Sequence, residues 1–406
     1  MTAHKKPDET ELIQMFLDRY LPREEIIHRL PIAIPIDPFW AKLTEARRNL
    51  SLSLPLYTQA QEPFRFVLNK SIENQCDLVA AMARRNYIFE GSVFESMAEE
   101  ALIDEAVYSS LIEGAFTSRK EAVKFIHAQA EPVNKAEQMV RNNYHALTYV
   151  LEHLDEPITE ETINNIAKIV TRSASEIEVN GYRSGPVYIN DSNGVVYMPP
   201  ESKAVPEMMG QLIHFIHNSK LHPVLKACIA HFYFVYVHPF GDGNGRTARA
   251  LSYMMLLQSG YDFFRYFSIS DIVAKERGKY YRAMKNVEIS DGDMTYFIDF
   301  YSDMLARTVQ KMEDHLIHHV YAGQKIRKLE SSGKLNERQL KGAKWLLESQ
   351  QSQITVEAWR KKHKVSVETA RQDLLMLCDQ GLLVRRMQGK KAVFKICLQP
   401  YQVNTD

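Results

Sequence analysis

The chain has 406 residues, which is enough for two or three domains of ordinary size. Fifty Lys+Arg residues balance fifty Asp+Glu residues, while 45% of the residues are hydrophobic and 25% are charged. This is the usual mixture of a globular protein, and it argues against a disordered chain, a coiled coil or a wholly basic nucleic-acid coat.

The cysteines and the first residues of the sequence indicate the cellular compartment of the protein. Four cysteines lie far apart and form no C-x-x-C pair: Cys76, Cys228, Cys378 and Cys397. Neither a zinc knuckle nor a disulfide framework is therefore indicated. The first residues, MTAHKKPDETELIQ, carry charges throughout and include no apolar segment of the length of a signal peptide or a membrane span. We expect a cytoplasmic protein with no membrane partner.

In chain order, an arm comes first and a helical body follows. Helix-breaking prolines occur at Pro31, Pro35, Pro38 and Pro55, so we predict an irregular arm over residues 1–64 that packs on the body. Further on, apolar residues recur at spacings of three and four, which predicts helices and a mainly α fold. The predicted helices span residues 96–113, 134–153, 159–173, 205–218, 222–237, 246–259 and 293–319.

One segment departs from the helical spacing. Residues 186–198, PVYINDSNGVVYM, consist of two short β-branched and aromatic runs around Asn193-Gly194. They predict a β-hairpin, because a type I′ turn needs positive φ at both central residues. A lone hairpin is not stable by itself, so we expect it to lie over another element.

The stretch His238–Arg249, HPFGDGNGRTAR, lies between two helical patterns and carries the chemistry. Three glycines within five residues allow a tight turn and leave backbone N–H groups accessible. At a helix N-terminus such a loop favours an anion, most commonly phosphate.

Charged residues surround this loop. Arg246 and Arg249 are three apart on the first turn of the following helix, where both guanidinium groups could hold phosphate oxygens. Asp242 would repel a phosphate unless a cation lay between them, so Mg²⁺ is implied. His238 is the only group of this loop whose ordinary pKa suits proton abstraction near neutral pH.

The same string matches the H-x-F-x-[D/E]-G-N-G-R-x-x-R signature at every specified position, and the chain resembles the Fic family over roughly residues 65–310. The resemblance implies a Fic-type helical core within residues 65–320. It also implies transfer of AMP from ATP to a Ser, Thr or Tyr hydroxyl of a target protein, or of the chain itself, with release of pyrophosphate. By this resemblance His238 is the base and Asp242 holds Mg²⁺. The expected nucleotide-binding residues are Gly243, Asn244, Gly245, Arg246, Thr247, Ala248 and Arg249.

Other segments take their expected roles from the same resemblance. Related kinases carry a lysine in place of Gly245, so this chain is expected to present the α-phosphate to the acceptor. The hairpin 186–198 corresponds to a flap that holds a target segment as an added strand, or it is a hairpin without function. Arg183, in a G-Y-R string that also resembles the family, could be a surface residue. Tyr280 and Tyr281 fall where relatives place an adenine-side tyrosine, although core packing explains them equally well.

Residues 109–114, SSLIEG, match the S-x-x-x-E-G pattern of the inhibitory helix in autoinhibited relatives, which we expect near residues 97–114. Ser109 and Glu113 are four apart on one helix face, and Gly114 follows as a helix stop. The resemblance implies that Glu113 pairs with Arg249 and occupies the guanidinium group that should bind the γ-phosphate. Glu113 could also align a water for removal of AMP, so the direction of the resting reaction stays open.

The C-terminal region is more basic than the rest of the chain. Residues 334–397 carry 14 Lys/Arg against 6 Asp/Glu, a net charge of +8 that marks a separate module. Three helical stretches followed by two strands around Gln388-Gly389 resemble a winged helix-turn-helix, expected over residues 334–400. Within residues 355–395 the expected DNA contacts are Arg371, Gln372, Arg385, Arg386, Lys390 and Lys391.

Two alternatives to these functions remain. The C-terminal module could dock a protein or join two chains as a homodimer. The whole chain could also be a DNA-binding transcriptional regulator in which the helical core only senses a nucleotide. An intact His238 and Asp242 argue against this second alternative, because sensing ATP needs no proton acceptor.

Overall fold

The computed structural model of the chain describes residues 8–84, 92–175, 179–191, 194–348, 353–388 and 391–396. The chain folds as two units, Met1–Ile88 with Ala98–Val309, and Phe89–Met97 with Gln310–Asp406. The structure is mainly helical, as predicted. Within the described part of the chain, none of the helices combines the length and the apolar character that crossing a membrane requires.

The N-terminal region is regular, and the prediction of an irregular arm is wrong. It forms α1 (Glu9–Arg19), α2 (Arg23–Ile26), α3 (Ile36–Leu50) and an antiparallel pair of strands, β1 (Leu52–Tyr57) and β2 (Pro63–Phe66). The prolines occupy positions that these elements tolerate. Pro35 is the N-cap of α3 and Pro38 lies in its first turn, where a missing backbone N–H costs no intrahelical hydrogen bond.

Buried polar contacts join this region to the body of the first unit. Arg47 donates to Tyr296 Oη at 2.7 Å and to the carbonyl oxygens of Phe16 and Leu21, both at 3.0 Å. Tyr20 Oη donates to Asp293 Oδ2 at 2.6 Å. Residues 1–64 therefore belong to the same unit as most of the predicted core, rather than standing apart from it.

The body consists of helices around a buried central one. They are α4 (Lys70–Arg84), α5 (Ser92–Ile112), α6 (Arg119–His127), α7 (Lys135–Glu152), α8 (Glu160–Thr171), α9 (Val205–Asn218), α10 (Pro223–Val237), α11 (Asn244–Gln258), α12 (Ile269–Lys275), α13 (Arg277–Ile289) and α14 (Thr295–Ser331). The seven helices predicted from apolar spacing are confirmed as α5, α7, α8, α9, α10, α11 and α14. Helix α10 is apolar nearly all round and packs between α9 and α11.

The predicted hairpin is confirmed. Strands β3 (Ile189–Asp191) and β4 (Gly194–Tyr197) are antiparallel, and Asp191 pairs with Gly194. Gly194 therefore begins the second strand instead of lying at the centre of the turn. The two connecting residues, Ser192 and Asn193, lie outside the described residues.

The second unit contains three further helices and a small sheet. They are α15 (Glu337–Glu348), α16 (Val356–His363), α17 (Val367–Asp379), β5 (Gln353–Thr355), β6 (Leu383–Gln388) and β7 (Lys391–Ile396). The strands are antiparallel in the order β5-β7-β6. The predicted turn residue Gly389 and Lys390 lie outside the described residues. The unit begins earlier than the predicted border near residue 334, because the second half of α14 adds Ile326 and Leu329 to its apolar core.

One buried carboxylate organises this second unit. Asp373 accepts hydrogen bonds from Arg338 Nε at 2.7 Å, Gln339 Nε2 at 3.1 Å and Trp359 Nε1 at 3.1 Å. Trp359 is itself fully buried, and a Cβ added at Gly342 would overlap its ring. The three helices therefore meet at a polar contact inside an apolar core.

Candidate active site at the loop between α10 and α11

The chain reverses sharply between α10 and α11. His238 ends α10 in the left-handed region, with φ 51° and ψ 59°, and Pro239 then prevents the helix from continuing. Gly243 precedes α11 with φ 78°. A Cβ at Gly243 would lie 2.8 Å from the Thr171 Cγ2 atom, so both the backbone and the packing require glycine there.

Asn244 shapes the loop from inside. Its Oδ1 accepts from the Phe240 N–H at 3.0 Å, and its Nδ2 donates to the Phe240 carbonyl at 2.8 Å. The first intrahelical bond of α11 runs from the Thr247 N–H to the Gly243 carbonyl at 2.9 Å. The N–H groups of the first turn therefore have no intrahelical acceptor and, with the helix dipole, form an anion site. The side chain of Asn244 holds the loop and leaves its backbone for the ligand.

Two arginines of α11 are buried beside this turn. Arg246 donates from Nη1 to the Val170 carbonyl at 2.9 Å, and burial lowers its pKa. Among the described residues, neither Arg246 Nε nor Arg249 Nη1 has a hydrogen-bond partner. Because an unpaired buried N–H group is costly, these two donors indicate an anionic ligand.

Glu113 occupies the space next to this anion site. Its Oε1 accepts from Arg249 Nη2 at 2.8 Å, and a Cβ on Gly245 would overlap its carboxylate. Ser109 completes the contact, since Arg249 Nε donates to Ser109 Oγ and Nη2 to the Ser109 carbonyl, both at 2.8 Å. Burial alone would lower the pKa of Arg249, but the Glu113 carboxylate outweighs this and the pKa is raised. The structure thus brings Ser109, Glu113 and Arg249 together.

The end of α5 presents Glu113 to the arginine. The helix ends at Ile112, so Glu113 is the first residue beyond it rather than part of the helix. Gly114 has φ 88° and donates to the Leu111 carbonyl at 3.0 Å, while the Ala115 N–H donates to the Ser110 carbonyl at 3.0 Å. This is a Schellman ending, in which a left-handed glycine terminates the helix, as the sequence predicted for Gly114.

His238 is held as a neutral imidazole. Its Nδ1 lies 3.2 Å from the Val235 carbonyl, an acceptor that assigns the proton to Nδ1 and leaves Nε2 with a free lone pair. Burial lowers the pKa of His238 to about 4. At neutral pH this imidazole is therefore able to accept a proton.

Asp242 lies at the rim of the loop, and its side chain is 38% exposed. Its Oδ1 is 3.4 Å from Arg246 Nη2. A carboxylate next to an anion site suits Mg²⁺, which typically binds one or two carboxylates together with phosphate and water oxygens. The described residues include no group of three or more His, Cys, Asp or Glu side chains placed for a metal.

The remaining predicted site residues lie in α11 itself or in α13 near Arg249, and they differ in burial. Thr247 and Ala248 are completely buried, so their side chains belong to the core. Tyr280 is also buried and its Oη lies 2.9 Å from His231 Nε2, which leaves no ring face for an adenine. Tyr281 is 42% exposed and donates to the Ile112 carbonyl at 3.2 Å, so it alone of the pair remains a candidate for the base.

Arg183 is the functional candidate that the sequence left undecided. It is half-buried, not a surface residue, and its Nε donates to the His238 carbonyl at 2.8 Å. In the sequence, only its place in a G-Y-R string before the hairpin indicated that Arg183 could have a function. The string does not reveal which carbonyl groups the guanidinium group meets.

Comparison with known families identifies the segment around this site. Residues 157–256 match the model described as Fic/DOC family, and this range includes the hairpin and the loop between α10 and α11. Glu113 and the two tyrosines of α13 lie outside it.

Curated relatives and a solved structure agree with this match. The chain is 32% identical over 156 residues to protein adenylyltransferase Fic of Drosophila virilis, which is 37% of this chain and 29% of the relative. It is also 32% identical over 170 residues to protein adenylyltransferase Fic of Nematostella vectensis, or 40% of this chain and 37% of the relative. The matches thus span about a third of these relatives. A crystal structure of a Fic family protein from Desulfovibrio desulfuricans G20 shares the fold, with a TM-score of 0.55 at 19% identity, over 83% of this chain and 98% of that one.

Proposed function

We propose that this chain, which carries a Fic domain over residues 157–256, is a protein adenylyltransferase. It would transfer AMP from ATP to a Ser, Thr or Tyr hydroxyl of a target protein or of the chain itself. The observation that carries the proposal is the anion site at the start of α11, where buried donors of Arg246 and Arg249 lack partners among the described residues and a neutral His238 stands at the other end of the loop.

The chemistry follows from these groups. Nε2 of His238 takes the proton of the target hydroxyl, whose oxygen bonds to the α-phosphorus of ATP while the bond to pyrophosphate breaks. The first-turn N–H groups of α11 and the two guanidinium groups bind the phosphates and stabilise the charge that moves to the leaving group. Mg²⁺ held by Asp242 would neutralise phosphate charge when bound.

The hairpin supplies a place for the target. An extended peptide segment that pairs with an open edge of β3 or β4 would have its register fixed by main-chain hydrogen bonds, so that one hydroxyl faces His238. Tyr197, the last residue of β4, donates from Oη to the Tyr236 carbonyl at 2.6 Å, next to the end of the helix that carries this histidine. The identity of the target is not encoded in such main-chain pairing.

Glu113 is proposed to inhibit this reaction. Its ion pair with Arg249 occupies a guanidinium group that a bound triphosphate would need, and its carboxylate lies over Gly245 in the first turn of α11. ATP could then bind only in an unproductive position. The same carboxylate could orient a water for removal of AMP, which is the reverse direction of the same chemistry.

The test is intact-mass measurement after incubation with ATP and Mg²⁺. We expect the Glu113→Gly chain to gain one or more AMP groups, the wild type few, and the Glu113→Gly, His238→Ala chain none. A gain of phosphate instead of AMP would indicate kinase chemistry, and equal labelling with and without His238 would contradict the mechanism. Loss of AMP from a pre-modified wild-type chain, but not from Glu113→Gln, would assign the reverse direction.

For the second unit we infer a winged helix-turn-helix that binds DNA. The order of its elements supports this, and so do the exposed basic side chains of Arg371 on α17 and of Arg385 and Arg386 on β6. A mobility shift that weakens steeply with salt, and is reduced in Arg385→Ala, Arg386→Ala, is the expected result. Absence of a shift at low salt would contradict DNA binding, and a dimer in sedimentation under the same conditions would favour the dimerising role.

A further inference from the structure

The C-terminal end of α10 exposes carbonyl groups that need donors from outside the helix. His238 satisfies two of them, since its N–H donates to the Phe234 carbonyl at 3.0 Å and its Nδ1 faces the Val235 carbonyl. The hairpin region supplies the next two. Tyr197 Oη donates to the Tyr236 carbonyl, and Arg183 Nη2 donates to the Val237 carbonyl at 3.3 Å. The hairpin region thus caps the helix that leads into His238.

Arg183 continues this contact past the end of the helix. Its Nε donates to the His238 carbonyl at 2.8 Å, and its own N–H donates to the Pro239 carbonyl at 2.8 Å. One side chain therefore holds the carbonyl groups before and at His238, and the backbone of the same residue holds the one after it. These contacts fix the left-handed backbone of His238, which a non-glycine residue adopts only when its surroundings enforce it.

The remaining donors of Arg183 hold the base of the hairpin. Nη1 donates to the Gly185 carbonyl at 3.1 Å, ahead of β3, and Nη2 also donates to the Pro200 carbonyl, beyond β4. Both ends of the hairpin are therefore joined through one guanidinium group to the turn that carries His238. A guanidinium group also suits this place because a cation at a helix C-terminus is stabilising.

We propose that Arg183 is a positioning residue that aligns His238 with the target segment on the hairpin. The proposal rests on the proposed function of the same site. Arginine is required because a planar fork with five donors reaches carbonyl groups in several directions, whereas a lysine ammonium is a single point of contact. Loss of the fork lets the hairpin and His238 move independently, so the hydroxyl and the imidazole meet less often in the reactive geometry.

The charge of Arg183 offers a second way to observe the contact. The charged groups that act on His238 are Glu113 and Asp242, which raise its pKa, and Arg183, which lowers it. Burial is the largest cause of the lowered pKa. Removing the guanidinium group removes a cation and opens the imidazole to water, and both changes raise the pKa of His238.

The experiment compares Arg183→Lys and Arg183→Met with the parent, all as full chains carrying Glu113→Gly. We expect kcat for AMP transfer to fall about 100-fold in both variants. KM for ATP should stay within about twofold of the parent, because the phosphate-binding groups are untouched. The matched control is Arg29→Met, since the exposed ion pair of Arg29 with Glu25 contributes little. A kcat within twofold of the parent in both variants would overturn the proposal.

A second readout does not depend on activity. NMR titration of the His238 imidazole, assigned by its absence from the His238→Asn chain, should give a pKa that rises from the parent through Arg183→Lys to Arg183→Met. Circular dichroism at each pH confirms that each chain is folded, and Arg183→Lys keeps the test valid if the methionine variant does not fold. An unchanged pKa in both variants would overturn the proposal. If the parent transferred no AMP, the proposed function would fail and this titration would still decide the role of Arg183.

Discussion

At the scale of single residues, the close approach of Glu113 to Gly245 gives a direct test of the contact on which the proposed inhibition depends. Gly245→Ala places a methyl group where the Glu113 carboxylate lies, so we expect it to cost about 1–3 kcal/mol of stability in the wild type. In the Glu113→Gly chain the carboxylate is absent, and the cost should shrink by at least about 0.5 kcal/mol. Urea unfolding of the four chains measures this coupling.

The control for this cycle is Gly210→Ala in the middle of α9. No atom lies within 4 Å of a Cβ added there, so helix propensity alone should stabilise the chain, by up to about 1 kcal/mol, and equally in both backgrounds. Equal costs of Gly245→Ala with and without Glu113 would show that the two groups do not meet in solution.

The lowered pKa of His238 predicts an unusual pH profile. A general base works when it is deprotonated, so activity is present above the pKa of His238 and lost as the pH falls through it. Since burial lowers that pKa to about 4, kcat of the Glu113→Gly chain at saturating ATP should be flat from pH 6 to 8. A rise centred near the ordinary histidine pKa of 6.5 would contradict the assignment.

At the scale of elements, α5 is anchored at a second point besides Glu113. Glu105 is 5% exposed and accepts from Ser268 Oγ at 2.7 Å and from the Ser270 N–H at 2.9 Å. Its carboxylate also accepts from Ser270 Oγ. The carboxylate thereby joins α5 to the start of α12.

Removing this anchor should release part of the inhibition proposed for Glu113. We expect Glu105→Ala to lose about 1–3 kcal/mol of stability and to raise basal AMP transfer to a level between the wild type and Glu113→Gly. Glu99→Ala, at an exposed position of the same helix, is the control and should change neither property. A lower melting temperature without any gain in AMP labelling would show that the contact of Glu105 stabilises the fold but does not contribute to the inhibition.

The sequence predicts the long elements better than the contacts between them. Seven helices followed from apolar spacing, and for one of them, α10, the apolar run also indicated a buried helix. The shorter α6 and α12 were not predicted, since short helices depend on caps and tertiary packing more than on spacing. Two helices of 15 residues were not predicted either, namely α3, which begins around Pro35 and Pro38, and α4. The hairpin was predicted, but Gly194 belongs to its second strand rather than to the centre of the turn.

For the site residues too, local patterns were predictable from the sequence and long-range contacts were not. The sequence could indicate an anion site in the loop between α10 and α11 because the glycines, arginines and histidine of this loop are contiguous. The pairing of Glu113 with Arg249, 136 residues away, came only from resemblance to a family. The carbonyl acceptors of Arg183 and the burial of Tyr280 are set by backbone segments distant in sequence, and no local pattern encodes them.

At the scale of the whole molecule, the second unit depends on one buried carboxylate. Asp373→Ala would leave Trp359 Nε1 and Gln339 Nε2 without their acceptor and the Arg338 guanidinium group without its partner. We expect this substitution to lower the free energy of unfolding of the second unit by about 3–5 kcal/mol. The fluorescence of Trp345 and Trp359 during thermal unfolding reports this loss. Asp379→Ala, exposed on the same helix, should unfold like the wild type, and equal melting of both variants would contradict the role of Asp373.

The carboxylate of Glu113 is tethered to the site that it fills, and this has a consequence for the cell. If Glu113 inhibits as proposed, it is an inhibitor with a fixed local concentration, so neither dilution nor abundant expression would alter the fraction of inhibited molecules. The basal output per molecule would then be constant from a few copies to thousands. Under this proposal, an event that displaces the end of α5 would change it, and the protein would respond to its surroundings rather than to its own amount.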